Sequence, residues 1–184
     1  MSIRAVWAEI DTSAIVHNAA ALKALVGPTT QLCAVVKAFG YGHGPVRTAE
    51  AAIAGGATWL GVALVDEGEL LRRGGIEEPI LVLSEPRASA MPAVVAADLR
   101  PTLYTLAGVE AMARAAAGIG RAMPVHVKVD TGMHRVGADA DGALAVAMAV
   151  EAAPELELEG LFTHFAVADA VSYTHLTLPT ICSV

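Results

Sequence analysis

Short runs of apolar and β-branched residues alternate along the chain with longer segments of helical character. The short runs are "QLCAVVKA" (31–38), "WLGVAL" (59–64), "PILVLS" (79–84), "RPTLY" (100–104), "PVHVKVD" (124–130) and "LEGLFTH" (158–164). Each has the length and texture of a strand. Between them, "PVRTAEAAIAGG" and "DEGELLRRGG" end in glycines, and "LAGVEAMARAAAGIG" is alanine-rich with glycines at its end. Those are helix-stop signals. The first element is predicted to be a helix over "DTSAIVHNAAALKALVG", with Asp11 or Thr12 as the cap and Gly27 as the stop.

Strand and helix repeating at this interval predict parallel pairing, and strands this continuously apolar predict burial on both faces. Two α/β architectures satisfy that pattern. No G-x-G-x-x-G opens a helix after an early strand, which removes support for a doubly wound dinucleotide-binding sheet. A (β/α)8 TIM-type barrel is therefore expected. Such a barrel needs eight strands and about 250 residues, whereas six strands are legible in 184 residues. The expectation is a barrel truncated after about six strands. Near Ala170 the Ala, Val and Glu-rich texture gives way to "VSYTHLTLPTICSV", which has no alanine, glycine, lysine, arginine, aspartate or glutamate. We read residues 1–170 as the partial barrel and 171–184 as a non-native tail, the translated read-through of a sequencing adaptor, so Tyr173 and His175 receive no role.

Composition narrows the function classes. With 55% hydrophobic but only 4% aromatic residues, the core has to be built from Ala, Val, Leu and Ile. Apolar stretches such as "GALAVAMAV" (142–150) end well short of the ~18 to 20 residues a membrane span requires. The N-terminus has neither a basic head before an apolar stretch nor a small-residue cleavage site, so a cytoplasmic location is expected. A net charge of −7 and the lack of a basic stripe argue against nucleic-acid binding. Cys33 and Cys182 form neither a metal-ligand cluster nor a disulfide framework. Cys33 is expected to pack as a small apolar residue.

Three clusters hold candidate chemistry, all at predicted C-terminal strand ends, the face on which barrel enzymes place reactive groups. In "AVVKAFGYGHG" (34–44), an amine at Lys37 shielded by apolar walls would have its charged form disfavoured and become a nucleophile or base. A lysine simply reaching into water is the competing explanation. Tyr41 comes four positions later in a glycine-rich loop, where its hydroxyl and the next helix N-terminus could hold a phosphate. In "HVKVDTGMHRVG" (126–137), Lys128 and Asp130 share a strand face and could pair or point together into the barrel. A lysine facing inward would need neutralising. Arg135 lies just beyond, where its guanidinium fork could hold an anion or a phenolate. His126 and His134 read as structural, with no partner suggested by spacing. In "GLFTHFAVAD" (160–169), His164 at the strand end could stack on or bond to an aromatic cofactor.

Taken together, "AVVKAxxYGHG", "KVDTGMxRxG" and "THFAxAD", in this order and spacing, resemble alanine racemase, and the likeness runs from "WAEIDTSAIVHN" to about residue 169. The resemblance implies the cofactor pyridoxal 5'-phosphate, with Lys37 as its Schiff-base lysine and one of two racemisation bases, and Tyr41 as a phosphate ligand. It implies that Arg135 holds the phenolic oxygen and contacts substrate, that His164 lies against the ring, and that Lys128 occupies a position often carbamylated, where it would brace Arg135. Leu83 is implied as a pocket-lining residue. No metal is implied. Phe39 departs from the family pattern, which has a polar or small residue there.

The activity implied is interconversion of L- and D-alanine, supplying D-alanine for peptidoglycan, by a homodimer. The second base of the family is a tyrosine in a C-terminal β-domain of the partner subunit. That domain is absent here, so the 184-residue chain alone is expected to be inactive. A pyridoxal phosphate-binding barrel protein without racemase activity, or a racemase for serine or a broader set of amino acids, are the alternatives.

Overall fold

The computed structural model describes residues 7–168. The expected tail at 171–184, with Tyr173, His175 and Cys182, lies outside the described residues, as does Asp169 of the third cluster. The chain divides into two compact units, Met1–Leu83 with Ala96–Leu99, and Ser84–Val95 with Arg100–Val184.

The first unit contains α1 (Thr12–Val26), β1 (Cys33–Val35), the short helical element α2 (Lys37–Tyr41), α3 (Pro45–Ala54), β2 (Trp59–Val62), α4 (Val65–Arg73) and β3 (Ile80–Val82). The predicted α1 forms and ends at the expected stop, Gly27; of the two caps left open by the sequence the structure selects Asp11, its carboxylate accepting from the Ser13 N–H at 2.9 Å. Lys23 reinforces that end by donating from Nζ to the carbonyls of Gly27, Pro28 and Thr30, cations being favourable at helix C-termini. The three strands pair in parallel, β1 with β2 and β2 with β3, with Ala34 opposite Leu60 and Leu60 opposite Ile80. Leu60, Val62, Leu71, Ile80 and Leu99 are almost completely buried, each side chain contributing about 1.5–3 kcal/mol through removal from water. Arg72 fixes the two ends of this core. Its guanidinium donates to the carbonyls of Ala97, Ile76, Glu78 and Asp98 at 2.8–3.1 Å.

The second unit holds the 3-10 turn η1 (Ala88–Ala90), most of α5 (Met91–Ala96), β4 (Arg100–Leu103), α6 (Leu106–Ala116), β5 (Met123–Val129), α7 (Ala140–Glu151) and β6 (Leu156–Thr163). Again the strands pair in parallel and in chain order, β4 with β5 and β5 with β6. Met91, Leu103, Met112, Met123, Val125 and Val127 form its buried centre.

All six strands therefore belong to an α/β arrangement whose order within each unit follows the chain without reversal. A doubly wound sheet reverses its order after the first strands, so the expected barrel-type repeat stands. The strands are shorter than the apolar runs at most ends, since the runs continue into the first loop residues, buried at Val36 but exposed at Leu64. Two helices, α5 and α7, are not legible in the sequence pattern. Cys33 corrects an expectation: it is exposed rather than packed. Val35, which points to the same face of β1 as Cys33, is exposed as well, so it is the face of the strand that lacks cover, and cover of a face is not a local property. For the same reason β6, half apolar by sequence, leaves Leu161 exposed.

Candidate active site

In the first unit, Lys37 opens α2, two residues beyond β1 rather than on the strand as the apolar run suggests. The side chain is half-buried. Residues 38–41 form a left-handed turn rather than the expected loop. Ala38, Phe39, Gly40 and Tyr41 have φ of 52°, 60°, 62° and 55°, and the turn closes through hydrogen bonds from Gly40 N to Val36 O and from Gly42 N to Ala38 O. Left-handed geometry costs about 1–2 kcal/mol per non-glycine residue, and such strain concentrates where a structure holds a side chain in a chosen direction. Gly40 is required there by contact as well as by angle. A Cβ on it would lie 2.7 Å from the Oγ1 and 3.0 Å from the Cβ of Thr48 on α3. Tyr41 is exposed, leaving its hydroxyl available at the surface of the unit.

Phe39 is also 68% exposed and left-handed, a combination that favours Asn, Asp or Gly over an aromatic residue. Phe39→Asn is expected to stabilise the chain by about 0.5–1 kcal/mol, read as a higher midpoint in denaturant unfolding with unchanged slope.

The turn is tied from outside by a residue that the sequence motifs do not include. Glu67 Oε1 accepts from the Ala38 N–H at 2.6 Å, while Oε2 accepts from Ala63 and Leu64 N–H at 2.8 and 3.1 Å. One signal could have found it. Glu67 is the third residue of α4, where a carboxylate that caps the helix is common.

In the second unit, Lys128, Arg135 and His164 belong to the C-terminal ends of β5 and β6. Lys128 is only 5% exposed and lies opposite Phe162 in the β5–β6 register, its Nζ 5.2 Å from the ring centroid. Asp130 does not accompany it inward. Its Oδ1 accepts from the N–H groups of Gly132 and His134, both at 3.0 Å, and these bonds hold its carboxyl below the usual range. His134, given no partner by spacing, pairs through Nδ1 with Asp130 Oδ2 at 3.3 Å. The same loop is closed at its base by Asp130 N to Ala138 O at 2.7 Å and Ala138 N to Lys128 O at 3.0 Å. Arg135 is thus carried, exposed, on a loop fixed at both top and base. The strand end preceding His164 is fixed too: Thr163 Oγ1 donates to Val129 O at 2.8 Å and lies 2.7 Å from Thr131 Oγ1. His164 itself is exposed. Leu83 closes the first unit one residue after β3, half-buried.

His126, read from the sequence as structural and without a partner, has partners. Its Nε2 lies 3.2 Å from Glu159 Oε2, which also meets Arg100 Nε at 3.5 Å. A β-bulge makes this contact: Val125 faces Leu158 and His126 faces Gly160, so Glu159 is the extra residue. Gly160 leaves room for the imidazole, since a Cβ there would sit 2.6 Å from the ring. Burial lowers the His126 pKa, and Glu159 opposes that shift only in part. The unfolded chain therefore binds more protons at this site than the folded one, so stability is complete above the unfolded value of about 6.5 and is lost as pH falls from there through the lower folded value. Urea midpoints measured between pH 7.5 and 5 should decline, and His126→Gln should flatten the decline.

Among the described residues no helix is long and apolar enough to cross a membrane. The family model described as alanine racemase, N-terminal domain, matches residues 10–181. Alanine racemase of Desulfosudis oleivorans is 47% identical over an alignment covering 92% of this chain and 46% of that protein. The crystal structure of alanine racemase from Bacillus anthracis with bound L-Ala-P superposes with a TM-score of 0.87 at 35% identity, covering 100% of this chain and 48% of that one. A histidine racemase from Leuconostoc mesenteroides gives 0.81 at 30% identity, covering 91% and 46%. The chain spans about half the length of the relatives it matches. The match over residues 10–181, together with the strand order and the three strand-end motifs, shows that this chain belongs to the family of the alanine racemase N-terminal domain.

Proposed function

We propose that this chain is the N-terminal part of a pyridoxal phosphate-dependent racemase that interconverts L- and D-alanine, working as a homodimer in the cytoplasm and supplying D-alanine for peptidoglycan. The observation that carries the reading is Lys37, a half-buried primary amine held at the start of a left-handed turn that also bears Tyr41. That donor set suits the cofactor, since a primary amine condenses with an aldehyde and a phenol hydroxyl donates to a phosphate oxygen. When bound, the cofactor supplies a conjugated ring that spreads the electron pair left after proton removal from an amino acid's α-carbon.

The work of this chain's own residues is to hold and deliver. Lys37 would anchor the cofactor and, with its amine freed by the substrate, would take the α-proton of the D-enantiomer; in the L-to-D direction the same amine would deliver a proton to that face. Racemisation requires a second acid–base group on the opposite face, assigned by family resemblance to a tyrosine of a C-terminal β-domain outside these residues. Tyr41 would donate to the phosphate. Arg135 would supply a positive charge for the phenolic oxygen and the substrate carboxylate, on a loop closed at Asp130 and Ala138. His164 and Leu83 would be further cofactor-binding residues. Lys128, so fully enclosed, suits carbamylation, which would convert a buried ammonium into an anion able to brace Arg135.

The test is racemisation of D- and L-alanine, followed by circular dichroism, in a full-length protein that contains this chain. Equal turnover of serine or histidine would favour the broader racemase, a reading supported by the likeness to histidine racemase. Cofactor binding with no turnover of any amino acid would favour the non-catalytic carrier. Lys128 is checked separately: carbon-13 NMR of the folded full-length protein in labelled bicarbonate should show a carbamate carbonyl resonance that Lys128→Ala lacks.

A further inference from the structure

We propose that Glu67 is the positioning residue for Lys37, an inference that rests on reading Lys37 as the amine that carries the cofactor. An ordinary carboxylate at the third position of a helix reaches back to the N–H before it and does no more. Glu67 does that with Oε2, which accepts from Ala63 and Leu64. Its other oxygen leaves the helix and takes the Ala38 N–H at 2.6 Å, 29 positions away.

The place of that bond gives it meaning. Ala38 is the residue next to Lys37 and the first of four consecutive residues with positive φ. Three of the four are not glycine, so the turn is unfavourable by itself and needs an external tie. A charge-assisted bond to the first N–H is the strongest tie the backbone can receive there. Without it, Ala38 and Phe39 are free to relax toward ordinary angles, and the direction of Lys37 changes with them. Glu67 does not touch the amine; it acts through the backbone. Glu85 in the second unit offers a matched control. Its carboxylate accepts from Tyr104 N–H, Thr105 N–H and Thr105 Oγ1 at 2.7–2.9 Å, the same chemistry with no lysine beside it.

The experiment compares wild type, Glu67→Gln and Glu85→Gln in the full-length protein. Amide exchange is read at residues 38–42, and the rate at which Lys37 forms a borohydride-reduced adduct with pyridoxal phosphate is read by peptide mapping. In Glu67→Gln, exchange at Ala38 should accelerate about tenfold or more, and adduct formation at Lys37 should slow by about tenfold, below the roughly hundredfold that a full ångström of misplacement can cost. Glu85→Gln should change neither. Turnover should fall in Glu67→Gln with little change in the KM for alanine. Unchanged exchange at Ala38 overturns the proposal, and so does faster exchange with undiminished adduct formation. If the glutamine variant fails to fold, Glu67→Asp keeps the charge but is too short to span both loops, and the same two readings apply. Adduct formation at some other lysine in the wild type would refute the role of Lys37 itself, while the exchange measurement would still judge the tie.

Discussion

Lys37→Ala in the full-length protein should abolish covalent retention of pyridoxal phosphate and lower racemisation by about a thousandfold or more. Two losses combine in that figure. The amine is the covalent attachment point, and it is also the base on one face of the α-carbon, a role that general acid–base catalysis values at about 10²–10⁴-fold by itself. Visible absorbance of dialysed protein reads the first loss and circular dichroism of D-alanine reads the second. Persistence of the lysine-bound cofactor band in the variant would remove Lys37 from its role. Stability should change little, because Lys37 is only half-buried and the turn is tied by the Glu67 bond to Ala38 and by the fit of Gly40 against Thr48.

Gly40→Val should be the most damaging single change to the fold near this site. At φ 62° a β-branched residue is strained by about 1–2 kcal/mol, and its Cβ would start 2.7 Å from Thr48 Oγ1. Thr48 is buried on α3 and cannot move aside without disturbing Ala49 and Ala52, which are also buried. Overpacking of that kind adds about 1–3 kcal/mol. A total near 3 kcal/mol corresponds to a fall in Tm of about 10 °C for a chain of this size, and scanning calorimetry would measure it. A fall of less than about 2 °C would mean that the turn can open at no cost, contradicting the close contact between Gly40 and Thr48. Gly40→Ala should lie between the two, since it has the contact and the angle but lacks the branch.

Both changes fall within one stretch that the sequence singles out, yet only part of their logic is visible there. Lys37, Tyr41 and the glycines can be read directly, since a lysine ending an apolar run and glycines before a helix are local patterns. The left-handed turn cannot. Ala and Phe do not announce positive φ, and the Glu67 carboxylate that bonds Ala38 comes from a different repeat. His126 shows the same limit. Its partner Glu159 lies 33 positions away and reaches it only through a bulge that shifts the β6 register. Periodicity assumes unbroken alternation, so it fails at a bulge.

Alternation of apolar runs with capped helices determined, by itself, the α/β class, the parallel pairing and the first helix with its Gly27 stop, because strand and helix periods, caps and stops are short-range properties of the chain. It also singled out the three strand-end motifs. The tertiary structure alone decided which residues hold those motifs in place: Glu67 on the Lys37 turn, Asp130 on the loop of Arg135, Thr163 beside His164, and Glu159 on His126. It also decided that Cys33 is exposed. For Glu67, Thr163 and Glu159 the partner is a group 29 to 34 positions away, brought near by folding, whereas Asp130 bonds within its own turn. A hydrogen bond has a range of about three ångströms, and sequence distance carries no information on which distant groups come within it.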